Sequence, residues 1–132
     1  MKIFNILVAE SESNNSLLIG KALSPRGDFY LYFAEDVKSV FEIARSINFD
    51  LVITNTRMVE SSSLSFYLKN LRDRVGSNVP LVVHSGDEPW ALEKLKGLFS
   101  AHVQYPEMTD LKTGLPDPNT SLFMTVEKLL PR

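Results

Sequence analysis

Apolar runs rich in β-branched and aromatic residues recur five times along the chain: IFNILVA (3–9), FYLYF (29–33), DLVI (50–53), VPLVV (79–83) and AHVQY (101–105). The third and fourth carry no polar alternation, which is the pattern of strands buried on both faces. Between the runs lie amphipathic stretches at helical spacing. Val37, Val40, Phe41, Ala44 and Ile47 form one stripe after the cap Asp36, and Leu64, Leu68, Leu71 and Val75 form another after Ser61, Ser62 and Ser63. A third, Ala91, Leu92, Leu95, Leu98 and Phe99, follows Asp87, with Pro89 near its first turn. A first helix is expected over 14–23, ahead of Pro25. A last one is expected around Leu122, Val126, Leu129 and Leu130, beyond a long loop punctuated by Pro106, Pro116 and Pro118.

Connections of this length do not close hairpins. They imply parallel strands joined by right-handed crossovers and covered by helices on both faces, a doubly wound α/β sandwich. In such sheets the functional crevice lies beyond the carboxyl ends of the strands, where the winding reverses. The residues to interrogate are therefore 10–14, 55–58, 84–87 and 105–107.

Composition narrows what that crevice can do. The 132 residues read as one domain over 1–132, and 14 Lys plus Arg stand against 16 Asp plus Glu without a long block of either sign. That balance favours neither nucleic acid nor a membrane surface. The chain has no cysteine, which removes disulfides, thiol catalysis and cysteine-based zinc sites together. The N-terminal MKIFNILVAESES turns acidic at once and lacks a small-residue cleavage site, so it reads as a strand and the cytoplasm is the expected location. A dinucleotide site would need glycines in the first strand-to-helix turn, but AESESNNS has none and its acidic side chains repel phosphate. His84 next to Ser85 suggests a nucleophile and base, yet adjacent strand residues point to opposite sides. Two histidines without cysteine partners or helical i, i+4 spacing do not make a metal site.

Four segments carry a family resemblance. ILVAESE, DLVITNTRM, PLVVHSG and VQYP, in that order, resemble a response-regulator receiver domain, and the resemblance covers nearly the whole chain. It implies a flavodoxin-like (βα)5 fold with strand order 2-1-3-4-5 and a place in two-component signalling or a phosphorelay. Such domains read ILVVDDE at the first strand, DLVLLDxxMP at the third, Thr or Ser before a small residue after the fourth, and KP after the fifth. Matched residue by residue, the resemblance puts Glu10 and Ser11 at the acidic pair, Asn55 at the phosphoacceptor aspartate, Ser85 at the switch hydroxyl and Tyr105 at the lysine. His102 falls near the position of the switch aromatic.

The departures act together. Asn55 has no carboxylate nucleophile, and its amide oxygen is a poor substitute. Glu10 alone would bind magnesium only weakly, since that ion is held by carboxylates together with phosphate and water. A lysine stripped of its carboxylate partners would be costly to keep, and Tyr105 removes the cost. The implied protein is a pseudo-receiver without enzymatic activity, acting by phosphorylation-independent contact with a signalling kinase or output protein, and Asn55 is expected to hydrogen-bond neutral neighbours. No cofactor is expected. Two alternatives stand beside this reading: a phosphorylated domain with an unusual acidic site at Glu10 or Glu12, and a flavodoxin-like domain that binds a small ligand or acts as an enzyme. Ser85 has two readings, a retained switch hydroxyl or a loop residue bonding local backbone. Trp90, His102 and Tyr105 mark an expected interaction face, with a homodimer through the fourth helical segment, fifth strand and fifth helix as one use of it. Phe99 continues an apolar stripe and is assigned to the core. The 107–119 loop is long enough to reshape that face.

Overall fold

The computed structural model describes residues 2–24, 27–105 and 121–130. Strands β1 (Phe4–Ala9), β2 (Phe29–Ala34), β3 (Leu51–Thr54), β4 (Leu81–Ser85) and β5 (Ala101–Gln104) form one parallel sheet in the order β2-β1-β3-β4-β5. This is the expected topology. β3 and β4 are buried at every position, in agreement with their unalternated sequences. Ile6 aligns with Leu51 and Val8 with Ile53, so the central strands stack apolar side chains in register.

Each sheet face has its own core. Leu7, Val52 and Val83 pack with Val40, Leu68 and Leu71 from α2 (Val37–Ser46) and α3 (Leu64–Val75). Ile6, Ile53, Val82 and Val103 pack with Ile19 and Val126 from α1 (Ser13–Leu23) and α4 (Leu122–Leu129). Complete burial of one such side chain stabilises the fold by roughly 1.5–3 kcal/mol. The predicted cap holds: the Asp36 carboxylate accepts the Ser39 N–H at 2.8 Å. Gly76 ends α3 at φ 107°, a backbone conformation that favours glycine, and donates its N–H to the Arg72 carbonyl at 2.9 Å.

The fourth helical segment departs from expectation. Residues Pro89–Leu98 wind as a 3₁₀ helix. Leu92, Leu95 and Leu98 are spaced by three, and three residues per turn stack them on one side, whereas an α-helix would rotate each by about 60° from the last. All three pack on the α3-side core, and Phe99 packs there too, as assigned from sequence. Trp90 is 78% exposed. Pro25, Pro106, Pro116, Pro118 and the expected 107–119 loop lie outside the described residues. Among those described, no helix is long and apolar enough to cross a membrane.

Candidate functional site

The carboxyl ends of β1, β3, β4 and β5 bring together Glu10, Asn55, Ser85 and Tyr105, all four taken from the motif segments. Parallel strands in register end at one edge of the sheet, so residues far apart in sequence meet there. Glu10 and Asn55 are each 2% exposed. Ser11 is exposed and joins no hydrogen bond of this cluster.

Asn55 is the hub. Its Nδ2 donates to both Glu10 oxygens, at 2.9 and 3.1 Å, and to the Tyr105 hydroxyl at 3.0 Å. Its Oδ1 accepts the Arg57 N–H at 3.0 Å. The amide can face only one way, since turning it over would set its oxygen against the Glu10 carboxylate and its NH2 against an N–H. Glu10 Oε2 also accepts the Glu12 N–H at 3.1 Å, and Asn15 Nδ2 donates to the Tyr105 hydroxyl at 3.3 Å. The neutral surroundings expected for Asn55 are therefore corrected: its principal acceptor is a buried carboxylate. Glu10 directly follows the adjacent strand β1, and among the described residues the Asn55 amide is the side-chain donor that reaches it.

These residues fit a magnesium ion poorly. The cluster offers one carboxylate, with the Asn55 amide across both oxygens, and among the described residues no group of three or more His, Asp or Glu side chains could hold a metal. Glu12, at the N-terminal end of α1, is exposed.

A second cluster occupies the other face. The Thr56 hydroxyl donates to Asp87 Oδ2, the Asp87 N–H donates to Ser85 Oγ at 3.3 Å, and Ser85 Oγ lies 3.0 Å from His102 Nε2. Ser85 thus bonds both a local backbone amide and a side chain on β5. Burial lowers the His102 pKa, opposed by the Asp87 carboxylate and a hydrogen bond to Ser85. His102 aligns with Val83, which faces the α3-side core, while His84 aligns with Val103 on the α1 side. His84 and Ser85 accordingly point apart. The His84 ring packs 4.8 Å from the Tyr105 ring, its Nδ1 is buried without a partner, and burial, with a smaller effect from His102, pushes its pKa down to about 4.

The expected interaction face is therefore divided. Trp90 is exposed, but the Tyr105 hydroxyl turns inward to Asn15 and Asn55, and His102 bonds Ser85 on the opposite side of β5. Sequence reasoning did not single out Asn15 or the Thr56–Asp87 bond. Asn15 had a signal: it stands four residues before the buried Ile19, so the stripe Ile19, Leu23 extended back one turn ends in a polar side chain.

No family model and no curated protein matches the chain. Solved structures do. A chemotaxis response regulator of Vibrio cholerae is 15% identical, with 98% of this chain and 100% of that one aligned at a TM-score of 0.75. A signal receiver domain of a two-component histidine kinase from Clostridium thermocellum is 14% identical over 98% of each chain, at 0.76. The response regulator TrrA of Thermotoga maritima, solved in complex with Mg(2+)-BeF, is 21% identical over 98% of this chain and 100% of its own, at 0.72. The fold of this chain is that of response-regulator receiver domains.

Proposed function

We propose that the chain is a pseudo-receiver: a signalling module of a two-component-type pathway that works by contact with a kinase or output protein, without phosphorylation of its crevice and without catalysis. One observation carries this reading. The Asn55 amide spans the Glu10 carboxylate and reaches Tyr105, so it occupies the space, and supplies the positive dipole, that a cation would supply between two carboxylates. An aspartate there would set two negative charges about 3 Å apart, a repulsion of roughly 5 kcal/mol at an effective dielectric of about 20. The crevice is closed by neutral donors instead. Glu10 is a poor alternative acceptor for a phosphoryl group, because it is 2% exposed and both oxygens are engaged.

The test is an amide NMR titration with magnesium and then beryllofluoride, a mimic of an aspartyl phosphate and part of the complex in which the Thermotoga regulator was solved. The expected result is no saturable shift at Glu10, Asn55, Ser85 or Tyr105. Shifts that saturate there and spread into β5 would overturn the reading. A companion experiment asks whether Asn55→Asp alone accepts phosphate from a small phosphodonor. It is expected not to, with Ser11→Asp, Asn55→Asp and Tyr105→Lys all required together.

A further inference from the structure

The sheet ends in two edge strands, and they are built differently. β5 is four residues long and half polar, with His102 and Gln104. β2 runs six residues, FYLYFA, and pairs in unbroken register with β1 from Phe29 to Ala34. Natural edge strands avoid pairing with another chain by being short or by carrying a charge, a proline or a bulge, and β2 has none of these. Tyr30 is 55% and Phe33 45% exposed, and Phe29, Leu31 and Tyr32 are only partly buried. The Asp28 and Ala34 carbonyls accept from the Phe4 and Glu10 N–H groups, so the even-numbered residues turn their backbone groups toward β1, while Leu31 and Phe33 turn theirs outward. Among the described residues no strand lies on that outer side, and no backbone hydrogen bond reaches Leu31 or Phe33 from a turn or loop.

We propose that β2 pairs antiparallel with β2 of a second copy, about a twofold axis through Leu31, to make one ten-stranded sheet. Such an axis sets residue 29 opposite 33, 30 opposite 32 and 31 opposite itself. The sequence from Phe29 to Phe33, FYLYF, reads the same in both directions, so every side chain meets its own kind. Tyr30 already leans on Tyr32, with 4.6 Å between ring centres, and across the axis four tyrosines gather on the face of α2 and α3. Phe29 and Phe33 pair on the other face, and aromatic pairs directly opposite one another are favourable cross-strand contacts. Leu31 exchanges both of its outward hydrogen bonds with Leu31 of the other copy. Charge selects the same register. Asp28 and Glu35 fall opposite Ala34 and Gly27, whereas a slip of the register in one direction opposes Asp28 to Asp36 and in the other leaves Phe33 facing Gly27. The pair buries on the order of 1,000 Å², the lower end for a specific interface, so the dimer forms in the micromolar range. β2 supplies no side chain to the crevice, and it is the opposite edge of the sheet from the β5 face expected from sequence.

Sedimentation equilibrium of the full chain from about 5 μM to about 500 μM tests the association, and amide hydrogen exchange over the same range locates it. A monomer–dimer equilibrium is expected, with exchange at the Leu31 and Phe33 amides slowing at least about 10-fold as the dimer forms. Tyr30→Lys with Phe33→Lys, both at exposed sites, should weaken the dimer at least about 100-fold. The chain has no cysteine, so Leu31→Cys carries a single thiol, and the axis sets the two Cα atoms about 5.5 Å apart, within disulfide range. That variant is expected to cross-link to itself with oxidised glutathione. Tyr30→Cys, more exposed but displaced along the strands from its own counterpart, is not. A monomer at every concentration would overturn the proposal and leave the edge to an extended segment of a different protein. So would a dimer indifferent to the lysine pair, or cross-linking at residue 30 as fast as at residue 31. Should the lysine pair fail to fold by circular dichroism, the two cysteine variants decide.

Discussion

Two hydrogen-bonded clusters share the carboxyl end of the sheet, and they are built on different logic. On the α1 side, Glu10, Asn55, Tyr105 and Asn15 surround a single carboxylate with amide and hydroxyl groups. On the α3 side, Thr56, Asp87, Ser85 and His102 run as a chain from the end of β3 to β5 and finish at a titratable ring. The first cluster is a sealed charge and the second a polar route across three strands.

The contrast can be broken most severely at Asn55. Asn55→Asp should cost about 3 kcal/mol in urea unfolding at neutral pH, because it faces a buried carboxylate with another. The deficit should shrink on acidification, since protonating one member of the pair restores a donor. A neutral outcome would mean that the crevice already admits a counter-ion.

Acid tests the same side through His84. Its folded pKa of about 4 lies below the ordinary 6.5, so the unfolded chain binds the extra proton first. The stability tied to neutral His84 is complete above pH 6.5, falls as pH drops and is gone below about pH 4. The loss is about 3 kcal/mol, read as the difference between the unfolding profiles of the parent chain and His84→Leu. Parallel profiles would show that His84 is hydrated or partnered in solution.

Smaller effects sharpen the comparison. Tyr105→Phe deprives two amides of an acceptor and should cost about 1.5 kcal/mol, with exchange broadening at the Asn15 and Asn55 side-chain amides. Ser85→Ala should cost about 1 kcal/mol and move the His102 titration in proton NMR while leaving the Asn55 amide resonances unchanged. Movement of both sets would join the clusters into one network.

Much of this was legible before any coordinates. β3 and β4 were marked by runs without polar alternation, α2 by a stripe and a capping Asp36 whose bond to Ser39 is present. The winding of 89–98 was not legible, because the run contains both Leu92, Leu95, Leu98 at a spacing of three and Ala91, Leu95 at four, which suit different helices. The motif segments named the crevice residues but not their pairing. Asn55 lies 45 residues from Glu10 and 50 from Tyr105, and which group donates to which depends on side-chain reach across the sheet edge rather than on local pattern. The same limit hid the division of β5, where one strand sends His102 and Tyr105 to opposite faces.

The winding of the 3₁₀ segment also has a mechanical consequence. At about 2.0 Å per residue, ten residues of 3₁₀ helix extend about 20 Å, whereas the same residues in an α-helix would extend about 15 Å. Pro89–Leu98 therefore spans about 5 Å more than the same residues would as an α-helix, so rewinding it would have to be made good by the short connections to β4 and β5.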